Sequence, residues 1–201
     1  MSRMILSMQC PYCQTQLTES SVECSHCSLS IKSANALLGP VPQLSTGIND
    51  FLALLDKKAK KKLNKSLIKL GERFPQVRMH VIINEFDPKY SVATHLFWLF
   101  NQDSLSTSDQ KGGKNHSILL GLDTSQSLCS IIVGYGLEPF LARKALDDVL
   151  DTAQASLSAG CYSDAILTII DNLSHLMQET CQQLTEVLNL SEAETSQPIE
   201  Y

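Results

Sequence analysis

Two cysteine pairs, Cys10-Pro11-Tyr12-Cys13 and Cys24-Ser25-His26-Cys27, constrain the amino end of this chain more tightly than any other feature in it. Each C-x-x-C turn can aim both of its sulfurs at one point, and ten residues between the pairs let the two turns close a tetrahedron around one Zn²⁺. A redox C-x-x-C or a pair of disulfides is the competing reading. Two such motifs inside eighteen residues, with nine residues ahead of them and so no room for a signal-peptide core, favour metal. Four thiolates complete the coordination, so Cys10, Cys13, Cys24 and Cys27 define a structural Zn²⁺ site with no open position for a substrate, and His26 is left to solvent.

The rest of the 201 residues suffices for one sizeable domain, and a hydrophobic fraction of 43% is that of an ordinary globular protein. A net charge of −5 argues against nucleic acid or anionic lipid as a partner of the whole surface, while leaving room for a local basic patch. No run of eighteen apolar residues occurs, which together with the missing signal peptide reads as a cytoplasmic protein without a transmembrane segment. The remaining cysteines, Cys129, Cys161 and Cys181, read as reduced, partly buried thiols.

The pattern divides the chain into a zinc ribbon at 8–30, a linker at 31–45, a second domain at 46–190 and a flexible tail at 191–201. The linker carries Gly39-Pro40-Val41-Pro42, where each proline biases the residue before it toward extended backbone. In the second domain, Asn49 or Asp50 is placed to cap a helix whose residues Leu52, Leu55, Ala59, Leu63, Leu67, Leu70 and Phe74 recur every three or four positions until Pro75. Gln76 to Asn84 switches to a period of two, with Val77, Met79, Val81 and Ile83 on one face of a strand. Asp87-Pro88 opens a second helix, Lys89 to Asn101, in which His95 is a packed core or edge residue. Residues 102–116 have no apolar period and read as an exposed, mobile loop. Ser117 to Asp123 and Ser127 to Tyr135 are strands joined tightly, hence antiparallel. Pro139 suits the first turn of a further helix continuing through Ala153, and Gly160 separates it from a closing helix at 162–190.

This order predicts an α/β fold: a three-layer α/β/α sandwich around a small mixed sheet, preceded by the zinc ribbon. It also predicts two candidate sites. Asp50 should lie at the carboxyl end of the first strand with Asn84, Glu85 and Asp87, and Asp123 joins them if the second strand runs parallel. Asp50 and Asp123 would then offer oxygens to Ca²⁺ or Mg²⁺, although capping and turn roles explain each separately. Gly134 to Glu138 should lie at the opposite edge, near Asn115. There Gly136 permits close backbone approach, and the N–H groups opening the next helix could receive an anion. The bland account of the same turn is that Gly134 and Gly136 supply unusual backbone angles and Glu138 meets the helix dipole.

Gly134-Tyr135-Gly136-Leu137-Glu138 resembles the Gly-Tyr-Gly-Leu-Glu signature of the TPM domain, a family of phosphatase-like α/β/α domains. Asn49-Asp50-Phe51, Asn115 before Ile118 to Leu122, and Gly160-Cys161-Tyr162 before Ala165-Ile166 extend the resemblance over about two thirds of the chain. It implies a ligand- or partner-binding site at Asn115, Gly134, Gly136 and Glu138, and a phosphatase-like activity. Where relatives commonly carry arginine or lysine after the strand-ending aspartate this chain has Thr124, and a cation is the usual partner of phosphate.

No cysteine nucleophile with a following arginine, paired Asp-x-Asp or metal-spaced histidine set is visible. The reading is therefore an adaptor or regulatory module with a protein partner; the alternative is a divalent-metal-dependent hydrolase of phosphate monoesters. Lys57, Lys58, Lys60, Lys61, Lys62, Lys65 and Lys69 crowd one helix, which is read as a solvated face. Nucleic acid ranks below a protein partner, through that helix or the ribbon.

Overall fold

Alternation of helix and strand periods resolves into a four-stranded sheet with helices on both faces, seen in a computed structural model that describes residues 8–10, 12–18, 20–102 and 113–195. The ribbon opens with β1 (Met8–Gln9) antiparallel to β2 (Gln16–Leu17) and is followed by α1 (Ile31–Leu38). The larger domain runs β3 (Ile48–Asp50), α2 (Lys57–Arg73), β4 (Arg78–Asn84), α3 (Val92–Phe100), β5 (Ser117–Asp123), β6 (Leu128–Val133), α4 (Arg143–Asp151), α5 (Gln154–Ser158) and α6 (Tyr162–Thr195).

The sheet order is β3-β4-β5-β6, with β3, β4 and β5 parallel and β6 antiparallel to β5. β4 and β5 are central and read as almost unbroken apolar runs because both faces are covered. Val81, Ile83, Ile118, Leu120 and Leu122 face a core completed by Leu63 and Leu70 of α2, Leu146 of α4 and Ile166, Ile169 and Ile170 of α6. Ile82 and Leu119 face the other way, against Leu96 and Leu99 of α3 and Ala34 of α1. Gly121 of β5 is required for that second contact, since a Cβ there would lie 2.4 Å from Leu96 Cδ2. β3-α2-β4 and β4-α3-β5 step the same way across the sheet with their helices on opposite faces, so the two crossovers have opposite hands and one is the rare left-handed kind.

The expected layers, mixed sheet and antiparallel β5–β6 pair are found; several boundaries differ. Asn49 and Asp50 lie in β3 instead of capping a helix, and α2 starts at Lys57 with Asp56 as its cap, the Asp56 carboxylate accepting from Ala59 N at 2.6 Å. Three residues are too few to display a strand period, and Asn49 is held by its side chain: Ser45 N and Oγ donate to its Oδ1 at 2.6 and 3.0 Å, and its Nδ2 donates to Val81 O of β4 at 3.4 Å. The stretch read as linker contains α1, which starts from a reciprocal Ser30–Ser33 capping box and buries Ala34. Asn35 of α1 accepts from Trp98 Nε1 at 2.5 Å and from Gln102 Nε2 at 2.9 Å, tying α1 to α3. α3 starts at Val92, capped by Ser91, later than Asp87-Pro88 suggested. Asp87 instead makes a local turn, accepting from Lys89 N at 2.9 Å. α6 continues through Thr195 into the stretch read as tail. The rest of that tail, 196–201, and residues 103–112 of the expected mobile loop lie outside the described residues.

Candidate functional site

The ribbon is two copies of one backbone device. Cys10 N donates to Thr15 O and Gln14 N to Cys10 O, both at 2.8 Å; Cys24 N donates to Leu29 O at 2.9 Å and Ser28 N to Cys24 O at 2.8 Å. The fifth residue of each turn, Gln14 and Ser28, takes a positive φ of 60° and 57°. Each loop so bent presents its two sulfurs inward. Cys10 Sγ lies 3.6 Å from Cys27 Sγ, Cys13 Sγ lies 3.5 Å from Cys24 Sγ, and all four sulfurs are within 4.8 Å of one another. Disulfide sulfurs sit at about 2.05 Å. Sulfurs on a tetrahedron with metal bonds of about 2.3 Å are separated by about 3.8 Å, close to the two shortest separations here and far from a disulfide. The Thr15 hydroxyl beside Cys13 holds its thiol down to about 6, whereas burial pushes Cys10 upward and Cys27 up to about 12. Four crowded thiols cannot all ionise without a cation among them. Among the described residues this is the only His, Cys, Asp and Glu group compact enough to hold a metal ion. His26 is exposed, as expected.

At the carboxyl edge of the sheet the register places Asn84 beside Asp123 and Ile83 beside Asp50, so Asp50 and Asp123 share an edge as inferred, Asp50 reaching it on a strand. Both carboxylates are engaged. Asp50 accepts from Leu54 N at 3.1 Å and Leu55 N at 3.0 Å and pairs with Lys60 Nζ at 3.1 Å. Burial alone pushes the Asp50 carboxyl upward, but those N–H groups and the Lys60 ammonium outweigh it and hold the group below its ordinary value. Asp123 is fully buried; its Oδ1 accepts from Ser125 N and Oγ at 2.9 and 2.7 Å, and its Oδ2 from Gln126 Nε2 at 2.7 Å. These bonds shape the β5–β6 turn.

At the opposite edge, β6 delivers Gly134 to Glu138 against Asn115, as the topology predicted. Gly134 N donates to Ser117 O and Gly136 N to Asn115 O, both at 2.9 Å. A Cβ at Gly136 would lie 2.7 Å from His116 Nε2 and 2.9 Å from Asn115 O, so this glycine is required for closeness. Among the described residues the glycines with positive φ are elsewhere, at Gly39, Gly47 and Gly160, which overturns the unusual-angle account of Gly134 and Gly136. The helix expected at Pro139 starts only at Arg143, so residues 135–141 are a chain of turns and no helix N-terminus stands at Glu138. The turn is held instead by Leu137 N to Gly134 O at 2.8 Å and by burial of Leu137 and Leu141. Glu138 is half-buried, which pushes its carboxyl upward.

Beside this turn lies an apolar groove of about 340 Å³ that sequence reasoning missed, lined by Phe74, Val77, Gly136, Leu137, Phe140 and Leu184 among others. It forms where α6 passes the amino end of β4, and only the assembled layers reveal it. Arg73 closes one end, bonded to Ser174 Oγ at 3.3 Å and to Gln178 Oε1. Also unforeseen is the ribbon's docking contact: the Tyr12 ring lies 6.3 Å from Tyr90, which meets His95 at 6.1 Å. His95 is buried and bonded to Ser91 O at 3.0 Å, the packed role expected of it. Cys129 is partly buried, whereas Cys161, just ahead of α6, and Cys181, which lines the groove, are exposed.

Fold and site together define a cysteine-clamped ribbon joined to a mixed-sheet α/β/α domain. The TPM domain family profile matches residues 48–176, and the chain belongs to that family. No curated protein sequence matches the chain. Among solved structures it is similar to the N-terminal domain of a P. gingivalis protein, at 16% identity and a TM-score of 0.51 over 66% of this chain and 82% of that one. It is also similar to the N-terminal domain of a Corynebacterium glutamicum protein, with 11% identity, a TM-score of 0.51 and coverage of 69% and 84%. The BA42 protein of the psychrophilic bacterium Bizionia argentinensis matches at 11% identity and a TM-score of 0.54, with coverage of 65% and 86%. At these identities the likeness is one of fold. No helix of the described residues is long and apolar enough to cross a membrane.

Proposed function

We propose that the chain is a zinc-ribbon adaptor whose TPM domain holds a protein partner in the groove beside Gly134 to Glu138. The observation that carries this reading is the contrast between the two sheet edges. At one, Asp50 and Asp123 are spent on backbone N–H groups, Lys60, Ser125 and Gln126, which leaves little carboxylate free to hold a catalytic Ca²⁺ or Mg²⁺. At the other, Phe140 and Leu184 are exposed beside an open apolar groove, the kind of surface into which a partner's apolar anchor fits. Zn²⁺ is the ion we assign to Cys10, Cys13, Cys24 and Cys27, because a closed four-thiolate tetrahedron suits it and folds a module too small for a core of its own.

Selection of a displayed random-peptide library on immobilised, zinc-loaded protein tests the groove. Peptides with an apolar anchor should be enriched on the wild type and lost on Phe140→Asp. Equal enrichment on both, or none on either, would remove the support for a partner-binding groove.

A further inference from the structure

Half of the chain's 16 lysines and arginines stand on α2. At 3.6 residues per turn, Lys57, Lys58, Lys61, Lys62, Lys65 and Lys69 fall within an arc of about 140°. Leu63 and Leu70, which enter the core, lie outside that arc. All six lysines are exposed, and among the described residues none is within ion-pairing distance of a carboxylate; the pair α2 does form belongs to Lys60.

This arrangement works against the helix that carries it. Lys57 and Lys61, Lys58 and Lys62, Lys61 and Lys65, and Lys65 and Lys69 are like charges at i,i+4. Lys57 and Lys58 sit in a first turn with no acidic residue, where cations oppose the macrodipole. The core gains nothing in return, since α2 packs through its other side. Apolar groups accompany the charge: Ile68, inside the arc, is 61% exposed, and Phe51 and Leu54, in the connection leading into α2, are 43% and 47% exposed.

We propose that the lysine face of α2 is a docking surface for an anionic lipid bilayer, with the lysines meeting headgroups and Ile68, Phe51 and Leu54 entering the interface. Lysine clusters on an amphipathic helix gain affinity from anionic lipid, and apolar neighbours add burial. A nucleic-acid site would bring arginine or stacking aromatics into the arc. The arc has none, and the one arginine of α2, Arg73, is held by Ser174 and Gln178. The surface is bounded by a separate cleft between α2 and α6, in which Asp164 and Asp171 of α6 stand with Lys62 and Lys69. Because the chain as a whole is acidic, such docking is confined to this one face. The proposal does not rest on the groove beside Gly136.

The test is co-sedimentation of the full zinc-loaded chain with vesicles of phosphatidylcholine alone and of phosphatidylcholine mixed with phosphatidylglycerol. Wild type should bind only the anionic vesicles and be released by salt. Each lysine removed should cost about fivefold in affinity, so Lys61→Gln, Lys65→Gln and Lys69→Gln together should cost on the order of a hundredfold at unchanged melting temperature. Ile68→Ser, which keeps every charge, should also weaken binding. Equal binding to neutral vesicles, full binding by the triple variant, or unchanged binding by Ile68→Ser would overturn the assignment. Binding of duplex or single-stranded nucleic acid with the same lysine dependence, without vesicle binding, would overturn it in favour of a different polyanion.

Discussion

Single side chains already decide much of this molecule. Cys24 is a buried member of the four-sulfur cluster, so Cys24→Ser should lower bound zinc well below one ion per chain, as read by metal analysis of reduced protein. Unchanged metal content would refute the tetrahedral assignment. His80, on β4, is buried, and burial, aided by the Arg78 charge, outweighs the opposing backbone contact at Ser45 and depresses its pKa below the ordinary 6.5. The unfolded chain therefore takes up the proton more readily. The stability this residue contributes is complete above pH 6.5 and is lost as pH falls through that value toward the folded pKa. Melting temperature should thus fall more steeply between neutral and mildly acid pH in wild type than in His80→Leu; parallel slopes would contradict it. At this scale the sequence was most legible where spacing carries chemistry, as in the cysteine pairs. It was silent on His80, because a strand period assigns the residue to a face without naming what covers it.

At the scale of elements, the turn after β6 shows how a motif can be found before its physical role is understood. Gly-Tyr-Gly-Leu-Glu was legible, but the space filled by the His116 ring was not, because Gly136 and His116 are brought together by pairing of β5 with β6. Gly136→Ala must displace that ring or the Asn115 carbonyl and should cost about 1–3 kcal/mol in a denaturant melt. A loss of a few tenths would mean the turn relaxes freely. β3 was missed because three residues show no period, yet Asp50 was still assigned to the correct sheet edge, since the chain must enter α2 from there. α4 was begun too early because Glu138-Pro139 has the composition of a helix start while Leu137 and Leu141 anchor turns instead.

For the whole molecule, the three layers followed from element order, whereas the seam between ribbon and domain was hidden. Proline and glycine at 39–42 suggested a clean separation, but Ala34, Asn35 and the Tyr12–Tyr90 contact fasten the ribbon and α1 to α3. A fragment starting at Ile31 should melt cooperatively, and one starting at Val41, which lacks α1 and uncovers Trp98, should melt lower and more broadly. Equal melting of the two would restore 31–45 as a passive linker. The central claim, that this TPM domain binds and does not turn over phosphate esters, is tested most directly by aryl phosphate hydrolysis with Mg²⁺, Mn²⁺ or Ca²⁺. The engaged state of Asp50 and Asp123, with Thr124 where a cation would serve phosphate, predicts no turnover above background in wild type, Asp50→Asn, Asp123→Asn or Glu138→Ala. Robust wild-type turnover, abolished by one of these carboxylate changes at unchanged melting temperature, would contradict the account and make the protein an enzyme.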